Sequence, residues 1–244
     1  MRDFSNRIGE KFPTKYGGMV EIIEYFNSTN CTLKAEDGSI LKNKQYSKVK
    51  NGDVGNSNRP SVLGMGYIGD CKVTNTRIMR IWKGMFERSY SEKWHKKFPT
   101  YKDCSVAPLW LSLENFAKWY EENFKSHMQE WELDKDILIK GNKIYSPETC
   151  CFVPKEINYL FTKSNSIRGD LPIGVRKVGA KFQARVSMYG KSIHIGSFYT
   201  AEEAFRAYKI AKEEYIKEVA DLWRGQITEP CYEAMYNYKV EITD

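Results

Sequence analysis

The sequence predicts an α+β fold, with strands and helices in separate blocks rather than in βαβ alternation. Three observations carry this. β-forming runs crowd the first 70 residues and return at 172–199. Apolar residues recur at helical spacing through 76–124, and 200–223 reads as one long amphipathic helix. At 244 residues the chain has room for one large domain or two to three small ones. The pattern divides it into a small β domain at 1–70, a central block with flanking helices at 71–166, a three-stranded sheet plus helix at 167–225, and a tail at 226–244.

In the first block, "MVEIIEYF" (19–26) and "CTLKA" (31–35) are rich in strand formers, and the Asp-Gly within "EDGS" (36–39) is a hairpin signal. The glycines and proline of "NSNRPSVLGMGYIG" (56–69) suit turns. Lys42, Lys44, Lys48 and Lys50 give this block a basic flank, suited to solvent or, as a second DNA grip, to phosphate. In the central block, "TRIMRIWKGMFERSY" (76–90) sets Ile78, Trp82, Met85 and Phe86 on one helical face. "HKKFPTYKDCSVAPLW" (95–110) reads as a loop. "SLENFAKWYEENF" (112–124) is a second helix, capped by Ser112, with Phe116, Trp119, Tyr120 and Phe124 facing the core.

Residues 131–162 then read as strand, Gly141-Asn142 turn, strand, loop, and a helix opening at Pro154. "TKSNSIRGD" (162–170) is a polar linker. "PIGVRKV" (172–178), "KFQARVSMY" (181–189) and "KSIHIGSFY" (191–199) are strands joined by tight turns at Gly179 and Gly190. The last helix is capped by Thr200, with Glu203 closing a capping box. Its apolar stripe is Ala204, Tyr208, Ala211, Tyr215, Val219 and Leu222. Such a sheet has one covered and one open face.

Composition narrows the function. Apolar residues make up 41% and support a packed core, and 38 Lys+Arg against 31 Asp+Glu give a net charge of +7. That balance favours polyanions, nucleic acid first. No apolar run approaches the roughly 20 residues of a membrane span, and the start lacks a hydrophobic signal core. A soluble, cytoplasmic protein with no membrane partner is expected. The six cysteines form no CxxC pair, so buried free thiols are expected rather than a disulfide framework or zinc knuckle.

Alternation assigns the faces of the second strand of the sheet. Phe182, Ala184, Val186 and Met188 point one way; Lys181, Gln183, Arg185, Ser187 and Tyr189 point the other. From Arg168 to Thr200 the basic residues are Arg168, Arg176, Lys177, Lys181, Arg185 and Lys191, against one acid, Asp170. A face of Arg, Lys, Gln and His can enter a DNA major groove, or simply stand solvated. "GVRKVGAKFQARVSMYGKSIHIGSFYTAEEAFRAYKIA" (174–211) resembles the AP-two DNA-binding domain of plant ethylene-response factors, which is also found on phage and mobile-element endonucleases. The matching positions are Gly174-Val175-Arg176, Phe182 with Ala184, Ile195 to Phe198, and Thr200 to Ala204. The resemblance implies contact with double-stranded DNA through Arg176, Lys177, Lys181, Gln183, Arg185, Ser187 and His194. The tryptophans common in that family are Phe182 and His194 here, which leaves base preference open.

The stretch "WELDKDILIKGNKIYSPETCCFVPKEIN" (131–158) carries the second site. Asp134 stands on the first strand, and Asn158 follows 24 residues later on the helix. An acid and an amide are oxygen ligands suited to a hard cation. "LDKD" and "CFVPKEIN" resemble the two ends of the His-Asn-His (HNH, ββα-metal) endonuclease motif, particularly that of phage proteins which pair such a core with an AP-two-like domain. That resemblance implies a metal-dependent DNA endonuclease of phage or homing type, acting in a bacterial host cell. Mg²⁺ or another divalent cation would sit at Asp134 and Asn158, with Asn142 at the structural turn position of the catalytic segment and no organic cofactor. The departure is Lys135, where the family has its catalytic histidine. An ordinary lysine, with a pKa of about 10.4, cannot accept a proton from water, although burial beside a metal can depress it. Asp136 is the other choice, as base or second ligand, and His95 or His127 could fold back as base. Without a base, the expected protein is a catalytically inactive, HNH-derived DNA-binding regulator.

Overall fold

The computed structural model describes residues 7–69, 73–162, 170–242 and 244. Cys71, Arg168 and nearly all of the 162–170 linker lie outside the described residues. The fold is α+β, as expected. It divides into two compact units, residues 1–87 with 108–117, and 88–107 with 118–244. These do not coincide with boundaries at 70 and 166, because the central block contributes to both.

The first unit opens with a four-stranded antiparallel meander in the order β1-β2-β3-β4, formed by Lys11–Pro13, Met19–Asn27, Asn30–Ala35 and Ile40–Lys44. The Asp-Gly turn expected between β3 and β4 is present, with Gly38 at φ +86°. Val20, Ile22, Cys31, Leu33 and Leu41 are buried against Val49 of the short helix α1 (Tyr46–Lys50). Helix α2 spans Thr76–Tyr90. Its stripe of Ile78, Trp82, Met85 and Phe86 is at most 2% exposed, each such side chain contributing roughly 1.5–3 kcal/mol of transfer free energy. Trp82 still satisfies its indole N–H, which donates to the carbonyl of Trp110 at 2.8 Å.

The second unit contains α3 (Glu92–Lys97), β5 (Ser105–Val106) and, from residue 118, the later part of α4 (Leu113–Asn123). It continues with β6 (Glu132–Asp134), β7 (Ile144–Tyr145), β8 (Cys151–Val153) and α5 (Lys155–Leu160). Phe152 of β8 is ringed by Trp119, Tyr120 and Phe124 at centroid distances of 5.3–5.4 Å, so these aromatics are core, as their spacing predicts. The expected hairpin is corrected. β6 pairs antiparallel with β8, Asp134 opposite Cys151, while β7 pairs in parallel with β5. Residues 135–150 are therefore one long connection from β6 to β8, interrupted by β7. Gly141 takes a positive φ of +79° within it, but Asn142 does not.

β9 (Val175–Val178), β10 (Lys181–Met188) and β11 (Lys191–Phe198) form an antiparallel sheet in the order β11-β10-β9, backed by α6 (Ala201–Leu222). Thr200 and Glu203 close the capping box as expected. Ala204, Tyr208, Tyr215 and Val219 of the stripe are buried and Ala211 is partly buried, but Leu222 is 66% exposed. Gly174 has φ +73°, and a Cβ there would lie 2.0 Å from the Tyr208 ring, so glycine is required by both backbone and packing. The expected tail folds into α7 (Glu229–Tyr236). Beyond it Val240 enters the core of Val175, Ala184, Val186, Ala204 and Tyr208. Cys31, Cys104, Cys150, Cys151 and Cys231 are buried free thiols. No helix among the described residues is long and apolar enough to cross a membrane.

Candidate functional site

The open sheet face is built by register. Across the three strands, Arg176, Gln183 and Ser197 form one row; Arg185 stands opposite His194, and Ser187 opposite Ser192. A bulge between Ala184 and Arg185 leaves Ile195 unpaired and shifts the β11 alternation. The Arg176 guanidinium donates through Nε and Nη2 to Gln183 Oε1 at 3.1 and 3.0 Å. Arg185 donates from Nε to Ser192 Oγ and from Nη2 to Ser192 O, both at 3.1 Å. Lys181 lies 5.0 Å from the centroid of the exposed Tyr199 ring. From Gly174 to Thr200 the sequence has no acidic residue, so this face carries only positive and neutral groups.

Six of the seven predicted DNA-contacting residues share that face. Lys177 does not. Its register partner is Phe182, whose side belongs to the helix-covered face, and its Nζ lies 5.9 Å from the centroid of that ring. Strand alternation places Lys177 opposite to Arg176. Ser192, Ser197 and Tyr199 join the face beyond the predicted set; the bulge hides Ser197 from simple alternation.

The second site is the loop after β6. One carboxylate oxygen of Asp134, Oδ1, accepts the backbone N–H groups of Asp136 and Ile137, each at 2.8 Å. This folds the loop back sharply. Asn142 spans it: Nδ2 donates to the carbonyls of Lys135 at 2.6 Å and Ile144 at 2.7 Å, while Oδ1 accepts from Ile144 N at 3.2 Å. Asn142 thus ties the two flanks of the loop together.

Lys135 is 7% exposed. Its Nζ donates to Asp136 Oδ2 at 3.0 Å and to Asn142 O at 3.2 Å, with the rings of Tyr101 and Tyr145 at 5.8 and 5.9 Å. Burial works to lower its pKa, but the charge and hydrogen bond of Asp136 outweigh it and leave the ammonium above the ordinary lysine value. The expectation that burial can free Lys135 as a base is thus reversed: its proton is held, and two of its three donors are occupied. Burial, with the charge of Asp136 second, pushes Asp134 up to about 6.

Asn158 donates from Nδ2 to Glu132 Oε2 at 2.5 Å. Sequence reasoning misses Glu132, yet it lies two residues before Asp134 on β6 and so shares its face. The histidines are engaged elsewhere: His95 Nε2 is 2.8 Å from Arg88 O, and His127 packs edge-on against Trp131. Among the described residues no three His, Cys, Asp or Glu side chains converge as a metal cage. The donor chemistry that remains is Asp134 Oδ2, the Asn158 amide oxygen and Glu132. This suits Mg²⁺, which is commonly held by one or two carboxylates together with water and substrate phosphate. The chain matches no protein-family model, no curated protein and no solved structure.

Proposed function

We propose that this chain is a double-stranded DNA-binding protein that lays the open face of β9–β11 into the major groove. One observation carries the reading: Arg176, Gln183, Arg185, His194 and two serines are aligned across three strands on a face without a carboxylate. A narrow antiparallel sheet fits that groove, and its arginines are already oriented by Gln183 and Ser192, which lowers the ordering cost of binding. Arg176→Ala and Arg185→Ala are each expected to weaken affinity by about 1–3 kcal/mol. Equal affinity of parent and variants for genomic or plasmid DNA would overturn the reading.

A second reading, metal-dependent DNA endonuclease, is favoured by the desolvated carboxylate of Asp134 beside Asp136, an arrangement that a cation relieves. Asp134 and Asn158 would hold the divalent ion, and Glu132 would orient Asn158. The ion would neutralise the scissile phosphate and acidify a bound water. In this reading Asp136 would serve as base or as a second ligand, since Lys135 holds its proton; the Lys135–Asp136 pair keeps that carboxylate in place. Supercoiled DNA incubated with Mg²⁺, Mn²⁺ or EDTA tests this. Metal-dependent nicking in the parent that disappears in Asp134→Ala, with affinity retained, is the expected outcome. Tight binding without nicking would make the protein a DNA-binding regulator.

A further inference from the structure

We propose that the lysine-rich segment 92–103 is a second track for the DNA backbone, placing phosphates beside the loop that begins at Asp134. The proposal rests on the duplex-DNA reading of the sheet face and assigns a contact outside it. Helix α3 and the turn Pro99–Tyr101 expose Lys93, Lys96, Lys97 and Lys102, and Lys143 joins them from the loop. Among the described residues none of these five lysines makes an ion pair. Glu92 and Asp103, at the two ends, are the only acids of the segment. Like charges gathered in this way repel one another until a polyanion neutralises them.

The backbone fixes these lysines relative to the loop. Ser105 N donates to Lys143 O and Ala107 N to Tyr145 O, both at 2.9 Å, along the parallel β5–β7 pair. Lys143 Nζ donates to Thr100 O at 3.0 Å, so the turn and the loop are tied directly. At the other end, Arg88 O lies 2.8 Å from His95 Nε2 in α3, while Arg88 Nε donates to Tyr145 Oη at 2.8 Å. The segment is thus a braced platform of ammonium groups. It is alongside Lys135, Asp136 and Asn142 rather than on a free arm. Lysine point charges at fixed spacing position a phosphodiester backbone without reading its bases. A DNA strand held there would run next to the candidate cation site.

The test uses the full chain, with Lys96→Gln, Lys97→Gln and Lys102→Gln combined, against the parent and the matching triple arginine variant. Affinity for a long duplex is followed over a salt series, with hydroxyl-radical footprinting of the same complexes. Each phosphate no longer neutralised is expected to lower the slope of log K against log salt by about 0.9, so by roughly 2.7 for three. The glutamine variant should also lose protection at one end of the footprint while keeping its centre, and the arginine variant should retain both. Arg176→Ala, in contrast, should weaken binding without shortening the footprint. A glutamine variant with the slope and footprint of the parent would overturn the proposal alone. Absence of duplex affinity in the parent would overturn the sheet-face reading and this proposal with it. If the triple variant fails to unfold cooperatively, Lys96→Gln and Lys102→Gln are measured singly, each with an expected slope change of about 0.9.

Discussion

The open face of β9–β11 and the loop from Asp134 to Asn142 are built from the same kinds of side chain and use them in opposite ways. On the sheet, Arg176 and Arg185 each bond a neutral neighbour, Gln183 or Ser192, and keep their charge facing solvent. In the loop, Lys135 is buried and turned onto Asp136 and the Asn142 carbonyl, and Asn142 bonds both flanks of the loop. A cation whose partners are neutral remains available to an external anion. A cation whose partners are a carboxylate and a carbonyl serves as an internal brace. Side-chain identity does not separate the two; the partners do.

The largest effect should come from breaking the brace. Lys135→Ala removes two charge-assisted bonds and leaves the Asn142 carbonyl and Asp136 without their donor. Asp136 is 43% exposed and can rehydrate, so the expected cost is about 2–3 kcal/mol rather than that of a fully buried pair. For a protein of this size the midpoint of thermal unfolding should fall by roughly 5–10 °C. Duplex affinity at a temperature where the variant is folded should barely change. A midpoint within about 1 °C of the parent would mean that Lys135 braces nothing, and the contrast with the sheet would collapse.

A third lysine sharpens the comparison. Lys212 of α6 is half-buried, and burial lowers its pKa to about 8. It is partly buried and, among the described residues, has no ion-paired carboxylate. The folded value lies below the ordinary 10.5, so the folded state binds this proton less tightly than the unfolded chain does. The penalty is present in full below about pH 8 and fades as pH rises toward 10.5. Lys212→Met is therefore expected to stabilise the protein at pH 7, on the order of 1–2 kcal/mol, with the gain vanishing near pH 10.5. Urea titrations at pH 7 and pH 10 measure it. An equal change at both values would assign the effect to packing instead of charge.

What the sequence discloses follows the same division. The strands β9–β11, their glycine turns, the Thr200 cap and the α2 stripe are legible because each rests on neighbours within a few residues. The pairing of β6 with β8 is not. Gly141-Asn142 looks like a hairpin turn locally, but Ile144 and Tyr145 find a partner in Ser105 and Val106, 39 residues upstream. Once β7 is taken, β6 has only β8 to pair with, and Asn142 becomes a staple across a loop. Asp134 and Asn158 are visible as residue types, but Glu132, which bonds Asn158, has the look of an ordinary strand residue. The role of Lys135 depends on Asn142 folding back to meet it, and its own neighbours in sequence do not disclose that. The bulge at Ile195 is of the same kind: counting by twos from Ser192 reaches His194 correctly and then mistakes Gly196 for Ser197.

The smallest expected effect is also the most discriminating for the sheet. Arg176 and Lys177 are adjacent, both basic and both exposed, and composition cannot rank them. Register does: Arg176 stands beside Gln183 on the open face, and Lys177 beside Phe182 on the other. If DNA meets the open face, Arg176→Gln should weaken binding by about 1–3 kcal/mol and lower the salt slope if Arg176 neutralises a phosphate. Lys177→Gln removes the same unit of charge from the edge of the covered face and should change affinity by no more than a few tenths of a kcal/mol, through the screened field alone. Anisotropy titrations at two salt concentrations separate the cases. Equal losses in both variants would mean that DNA senses only the total charge of β9, and the alignment across the three strands would have no part in recognition.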